Sequence, residues 1–305
     1  MQLFFKTLTI RIVGECLLTI VLIVITLILS KIDKGSFKQG FFCDDESLKY
    51  PYHEDTVNGA MLFALSLYLP IIIMVTCEGL LVLIIRRHTS IAEERGLLKA
   101  FLKLHYNITP FLCGFALHAC FVHFGKKTVG RLRPHFFDVC KPLIGENARS
   151  CDSPEYYGVY IENYECNRTS TNNDILANVH QSFPSGHSSY MFYGMIFIIL
   201  YLQRFSKILS QHRINIGLLM MTVQMLCALL AWFVALSRVT DYKHHWSDVL
   251  VGIILGTTVA IAVSQYVCQQ LKSVNSWPEG IKSSNSESTS TVTFSTAMTN
   301  KILVP

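Results

Sequence analysis

The sequence predicts an all-α membrane protein, a six-transmembrane-helix bundle with its chemistry-bearing loops on the outer (extracellular or lumenal) face. Three observations predict it. Hydrophobic residues fill 51% of 305 positions and charged residues only 15%, against about 25% charged in soluble domains. The apolar residues fall into six long runs. The polar segments between them alternate between short basic loops and longer loops rich in acids and aromatics. The net charge of +5 is too diffuse to argue for nucleic acid and fits the Lys/Arg bias of cytosolic loops.

The first run, 12–29, follows Lys6 and Arg11. A signal peptide is the competing reading, but no small-x-small cleavage site follows, which favours an uncleaved span. Residues 31–57 form a loop holding Cys43, Asp44, Asp45 and Glu46. The second run is 58–85, with Pro70 as an expected kink. A short charged loop, 86–99, leads to the third run, 102–124. That run carries Asn107, Pro110, His118 and His123 and should face protein for much of its length. Residues 125–183 are too long for a simple turn. The fourth run, 188–202, is rich in aromatics and Met; a basic loop, 204–213, follows. The fifth run is 216–236. The sixth, 249–268, carries Gly252, Gly256 and Ala260, a small-xxx-small row that permits close helix contact. These spans make one membrane domain over 1–272. The stretch 273–305 is Ser/Thr-rich and reads as a disordered cytosolic tail.

Six spans put both termini on one side. The basic loops place that side in the cytosol, so segments 31–57, 125–183 and 237–247 fall outside. Asn167-Arg168-Thr169 in the second of these is a glycosylation sequon, consistent with that orientation. Cys43, Cys140, Cys151 and Cys166 lie in the outer loops, where disulfides form; sequence does not give the pairing. Cys16, Cys77, Cys113, Cys120, Cys227 and Cys268 lie in or near spans and read as small hydrophobes.

The outer loops also hold three polar stretches. KKTVGRLRP places Lys126 seven residues before Arg133-Pro134, about two helical turns, so both cations can reach one ligand. Lys127 and Arg131 suit contact with lipid head groups. PSGH supplies Ser185, Gly186 and His187. Ser182 or Ser185 can cap the following helix, and Gly186 lets backbone N–H groups approach an anion. SRVTDYKHHWSD supplies Arg238, His244 and Asp248. His244 and Asp248 are four apart, so on a helix they share a face and can hydrogen-bond. A carboxylate on one imidazole nitrogen leaves the other as a nucleophile; His245 would point elsewhere. Guanidinium forks, an ammonium and backbone N–H groups suit a tetrahedral oxyanion. Each stretch alone has a bland reading as a span end. Together they suit phosphoryl transfer, and no Asp/Glu cluster offers an obvious magnesium site.

These stretches resemble the three signature motifs of the type 2 phosphatidic acid phosphatase superfamily, K-x6-RP, PSGH and SR-x5-H-x3-D. GFFCDDESLKYP, GRLRPHFFDVC and SRVTDYKHHWSDVL resemble its lipid phosphate phosphatase branch, and the resemblance spans about residues 10–270 with no motif position missing. It implies that His244 attacks phosphorus to form a phosphohistidine, that Asp248 orients His244, and that His187 protonates the leaving alkoxide and then activates water. Lys126, Arg133, Pro134, Ser185, Gly186 and Arg238 would bind the phosphate, with no metal or cofactor. The implied substrates are membrane lipid phosphates: phosphatidate, lysophosphatidate, ceramide 1-phosphate or sphingosine 1-phosphate. The setting would be the plasma membrane with an extracellular site, or an internal membrane with a lumenal one; a homo-oligomer is compatible. A sugar-phosphate or dolichyl-pyrophosphate phosphatase and a non-enzymatic membrane binder are the rival readings.

Overall fold

A computed structural model describes residues 2–31, 37–88, 93–145, 149–151, 153–167, 173–211 and 214–275. Among these, six helices are long and apolar enough to cross a membrane: Leu8–Lys31, Gly59–Ile84, Ala100–Val129, Gly186–Gln211, Gly217–Thr240 and Trp246–Leu271. They match the six apolar runs and extend most of them by a turn or so. The fourth and sixth start two or three residues ahead of the expected run, at Gly186 and Trp246.

In chain order, α1 is Gln2–Lys31, α2 Gly59–Phe63, α3 Leu69–His88, α4 Glu93–Val129, α5 Phe136–Cys140, α6 Asn173–Asn178, α7 Gly186–Gln211, α8 Gly217–Thr240 and α9 Trp246–Asn275. Asn58 caps α2, its Oδ1 accepting from Met61 N at 2.9 Å. A π-helical turn, Ala64–Tyr68, joins α2 to α3. Pro70 explains it: without an N–H, Pro70 cannot bond the Ser66 carbonyl, and the turn widens. That carbonyl lies against Gly194 of α7, so close that a Cβ there would collide with it. The charged loop expected over 86–99 is shorter, because α3 runs to His88 and α4 starts at Glu93; residues 89–92 lie outside the described set. Helix α7 likewise runs to Gln211, and α9 continues past 272 to Asn275. Residues 276–305, most of the expected tail, lie outside the described residues.

Helix α7 is the bundle's centre, packed along α9 and α8 and touching α3 and α4. Its core includes Tyr193, Phe197, Met191 and Met195, with Phe111 of α4. The small-residue row works as the sequence suggests. A Cβ on Gly252 would lie 2.6 Å from the Ser185 carbonyl, and one on Gly256 would strike the Ser189 carbonyl. Helix α1 packs along α4 and touches α9 through Arg11–Gln270 and Glu15–Tyr266. Leu17, Leu18, Leu27 of α1 and Leu226, Leu229, Trp232 of α8 face outward, an apolar belt that suits lipid.

One end of the bundle carries a cap with its own small core: Phe41, Leu132, Phe136, Val139, Ile144, Ile161 and Val179. Two antiparallel pairs support it. Strand β1 (Phe41–Phe42) pairs with β3 (Tyr160–Ile161), and β2 (Pro142–Ile144) with β4 (Tyr164–Cys166). Disulfides Cys43–Cys151 and Cys140–Cys166 join these segments. They resolve the pairing that spacing left open, and the first ties the loop before α2 to the long loop after α4.

Candidate active site

All three polar stretches meet beneath this cap. Lys126 ends α4. The chain then turns sharply at Gly130, where φ is +60° and a Cβ would collide with the Phe37 carbonyl oxygen, so only glycine fits. The turn is clamped to the segment before α7: Arg133 N donates to Val179 O at 3.0 Å and Ser182 N to Arg131 O at 3.0 Å. Pro184 packs on the end of α4, its Cδ 2.7 Å from where a Gly125 Cβ would stand. Gly186 opens α7, and the position of its missing Cβ is 3.8 Å from Lys126 Nζ. The glycine therefore leaves room beside the ammonium at a helix N-terminus, the geometry that suits an anion. Ser185 is fully buried; its N–H donates to the Asp248 carbonyl at 3.1 Å and its Oγ pairs with Ser188 Oγ at 3.0 Å.

Arg238 stands in the last turn of α8 and is 1% exposed. Its carbonyl accepts from Lys243 N at 3.1 Å and His244 N at 3.2 Å, folding the chain back so that His244 faces the cations. His244 is buried. Its environment pushes its pKa well below the ordinary imidazole value: burial first, then the charges of Arg133 and Lys126 and the ring of His187. The ring is thus neutral at physiological pH, with one nitrogen lone pair available. Arg133 is lowered to about 10, by burial first and by Arg238, against the pull of Asp55; it stays protonated. Arg133 Nε is buried and has no hydrogen-bond partner among the described residues. His187, at the start of α7, places Nε2 3.1 Å from the Val57 carbonyl.

One expected contact is corrected. His244 does not hydrogen-bond Asp248. Its Nδ1 lies 2.6 Å from the Ser182 carbonyl oxygen. The Asp248 carboxylate instead accepts from Ser182 Oγ at 2.6 Å, His245 N at 3.0 Å and Arg131 Nη1 at 2.6 Å. The reason is that α9 begins at Trp246. His244 sits in the turn before it, so helical i,i+4 spacing does not apply. Asp248 reaches His244 through Ser182. Arg131 is also reassigned, from a lipid head-group contact to the ion-pair partner of a fully buried carboxylate. His245, expected to point elsewhere, places Nδ1 3.3 Å from Asp248 Oδ2. Pro134 is buried beside the site, and its carbonyl accepts from Tyr50 N at 3.1 Å.

The site also contains residues that spacing did not single out. Asp55 Oδ1 is 2.7 Å from Arg238 Nη1, and Asp241 Oδ2 is 2.7 Å from Arg238 Nη2. Lys243, 4% exposed, lies over the Tyr52 ring at 3.7 Å. Asp55–Arg238 and Lys243–Tyr52 join segments far apart in sequence, so no spacing marks them; Arg238 and Asp241 are three apart, and that pair alone had a local signal. Asn167 lies away from the site, its N–H on the Cys140 carbonyl at 2.9 Å; Arg168 and Thr169 of its sequon are outside the described residues.

The arrangement presents a neutral imidazole, a second imidazole, and the cations Lys126, Arg133 and Arg238 around one space. That is equipment for holding and attacking a tetrahedral phosphorus. The comparisons agree in class. The chain belongs to the PAP2 superfamily, whose sequence profile matches residues 107–272, and falls in its lipid phosphate phosphatase branch.

Its similar proteins include a Drosophila melanogaster protein whose name contains the words phosphatidate phosphatase, 34% identical over 79% of this chain. The alignment spans 64% of that longer relative. Phospholipid phosphatase 1 of Rattus norvegicus is 37% identical over 79% of each chain. Phospholipid phosphatase 2 of Bos taurus is 32% identical over 77% of this chain and 75% of its own length. No solved structure matches the chain.

Proposed function

We propose that the chain is a phosphatase for lipid phosphate monoesters, working through a phosphohistidine. The observation that carries this reading is the buried, neutral His244 facing Lys126 and Arg133, neither of which is in ion-pair contact with a carboxylate among the described residues. Cations with no carboxylate in direct contact favour an anion, and the neutral ring is ready to attack it. His244 attacks phosphorus while Lys126, Arg133, Arg238 and the Gly186 end of α7 hold the phosphoryl oxygens. His187 gives a proton to the departing alkoxide. It then takes one from water as the water oxygen attacks phosphorus; the P–N bond breaks, inorganic phosphate leaves and His244 is restored. Asp248 holds Ser182, whose carbonyl fixes the tautomer and direction of His244.

The relatives' names support phosphatidate and related lipids as substrates. The apolar belt supports approach of the lipid with its acyl chains still in the bilayer. In this reading the cap lies on the outer or lumenal side and Asn167 carries a glycan. The reaction proceeds without a metal ion, the cations supplying the charge stabilisation.

The test is phosphate release from lysophosphatidate in detergent with EDTA present, wild type against His244→Ala. Release that survives EDTA and disappears in the folded variant is expected. Full activity in His244→Ala would refute the mechanism. Absence of release from wild type across several lipid phosphates would favour a lipid-phosphate binder.

A further inference from the structure

A strap formed by residues 50–57 crosses the site. Tyr50 N is held by the Pro134 carbonyl at 3.1 Å, and the Tyr50 ring stacks on Tyr242 at 4.5 Å. Tyr52 N donates to Asp138 Oδ2 at 2.8 Å. Thr56 donates twice to Asp241, from N at 2.9 Å and Oγ1 at 2.7 Å. These bonds fix Asp55 against Arg238, with Lys243 Nζ 4.0 Å from the same oxygen. Asp55 also interacts electrostatically with His187.

The partners of Arg238 differ in exposure. Nη2 serves Asp241 and Ser237, and Nε serves Ser237. Nη1 serves Asp55. The Asp241 side chain is 9% exposed and the Asp55 side chain 40%. Asp55 is therefore the exchangeable partner, and among the described residues it is the one that Nη1 serves.

We infer that Asp55 is an anionic placeholder and a specificity residue: its carboxylate holds the position at Arg238 Nη1 that a phosphoryl oxygen takes, and substrate enters by exchange with it. The inference rests on the proposed phosphatase reading for the identity of the ligand. Exchange discriminates by charge. A phosphate monoester brings two negative charges against the carboxylate's one and gains by the exchange. A phosphodiester or a carboxylate brings one and gains little. The strap thus keeps the cations from capturing the diester phospholipids around them. Burial alone would raise the Asp55 carboxyl, but Lys243 and Arg238 outweigh it and hold it below the usual carboxylate range, so the placeholder remains charged.

The test compares wild type, Asp55→Asn, Asp55→Ser and Asp55→Glu. Inorganic phosphate and dimethyl phosphate, a monoanionic diester, are titrated by calorimetry on the full-length protein in detergent. Removing a charge a few ångströms from the ligand should tighten phosphate binding at least about tenfold. It should also let dimethyl phosphate bind measurably, while Asp55→Glu stays near wild type. A purely structural role predicts the opposite sign, weaker phosphate binding in Asp55→Asn. That result, unchanged affinity, or failure of both neutral variants to fold while Asp55→Glu folds would overturn the proposal. Turnover of lysophosphatidate is measured in parallel. Turnover in wild type with no tightening in Asp55→Asn sinks the placeholder alone. Tightening without any wild-type turnover sinks the phosphatase reading and leaves the placeholder standing.

Discussion

Gly252→Ala tests whether the α7–α9 contact sets the phosphate-binding turn. A Cβ at Gly252 would stand 2.6 Å from the Ser185 carbonyl oxygen and 3.3 Å from both Ser188 Cβ and Ser189 N. The first of these is about 0.8 Å inside ordinary contact, and the atom struck is backbone, so no side chain can swing away. The helices must part, or the turn carrying Ser185, Gly186 and His187 must shift. Overpacking of this kind costs about 1–3 kcal/mol. The better helix propensity of Ala returns about 1 kcal/mol, which leaves a net loss of about 0–2 kcal/mol. Activity should suffer more, since a displacement near 1 Å in a reacting site can cost about 10²-fold. The expected kcat for lysophosphatidate is lower by about ten- to a hundredfold, with a small drop in melting temperature. Gly79→Ala is the control, because a Cβ there meets nothing within 4 Å. Gly252→Ala with wild-type kcat and wild-type melting would refute the claim that this contact places the turn.

Acid should weaken the cap. His135, buried with Nδ1 2.8 Å from the Tyr242 carbonyl, is lowered to about 4 by burial first and by Arg133. Its stabilisation is complete above the unfolded value near 6.5 and is lost as pH falls from there toward 4, by about 1.4 kcal/mol per unit. His135→Gln should therefore flatten the melting-temperature profile below pH 6.5; an unchanged slope would count against it. Ser182→Ala removes the 2.6 Å bond to Asp248, a charge-assisted contact worth about 1.5–3 kcal/mol. It should lower kcat several-fold with KM little changed, and wild-type kcat would show that the carboxylate does not act through Ser182. Replacing the Cys43–Cys151 pair by Ser opens a link of sequence separation 108, against 26 for Cys140–Cys166. Loop entropy puts the losses at about 4.7 and 3.5 kcal/mol, so the first pair should lower the melting temperature more; the reverse order would refute the entropic account.

Much of the molecule was legible because its signals are local. Six apolar runs announce six spans, and Gly252, Gly256 and Ala260 announce a close contact one turn apart. The motif residues could be read because phosphate chemistry restricts residue type as well as spacing. What spacing could not provide was the direction of side chains where a helix begins. His244 and Asp248 are four apart, but only Asp248 is on α9, so the expected bond became a path through Ser182. Arg131 looked like a membrane-edge cation because its partner Asp248 is 117 residues away. Asp55 was one acid in an acidic loop; nothing near it in sequence shows that Arg238, 183 residues on, is its partner. The π-helical turn at Ala64–Tyr68 was only partly legible, since Pro70 foretells a distortion but not its form.

The long reach from strap to guanidinium also sets an order on biosynthesis. A chain emerging N-terminus first delivers Asp55, then Lys126 and Arg133, then His187. Arg238 and His244 come last, at the end of α8 and in the turn before α9. On the proposed mechanism, an unfinished chain holds cations and a carboxylate but lacks its nucleophile. Insertion of the final hairpin supplies His244 and in the same step gives Asp55 its partner, so reactivity and charge compensation arrive together.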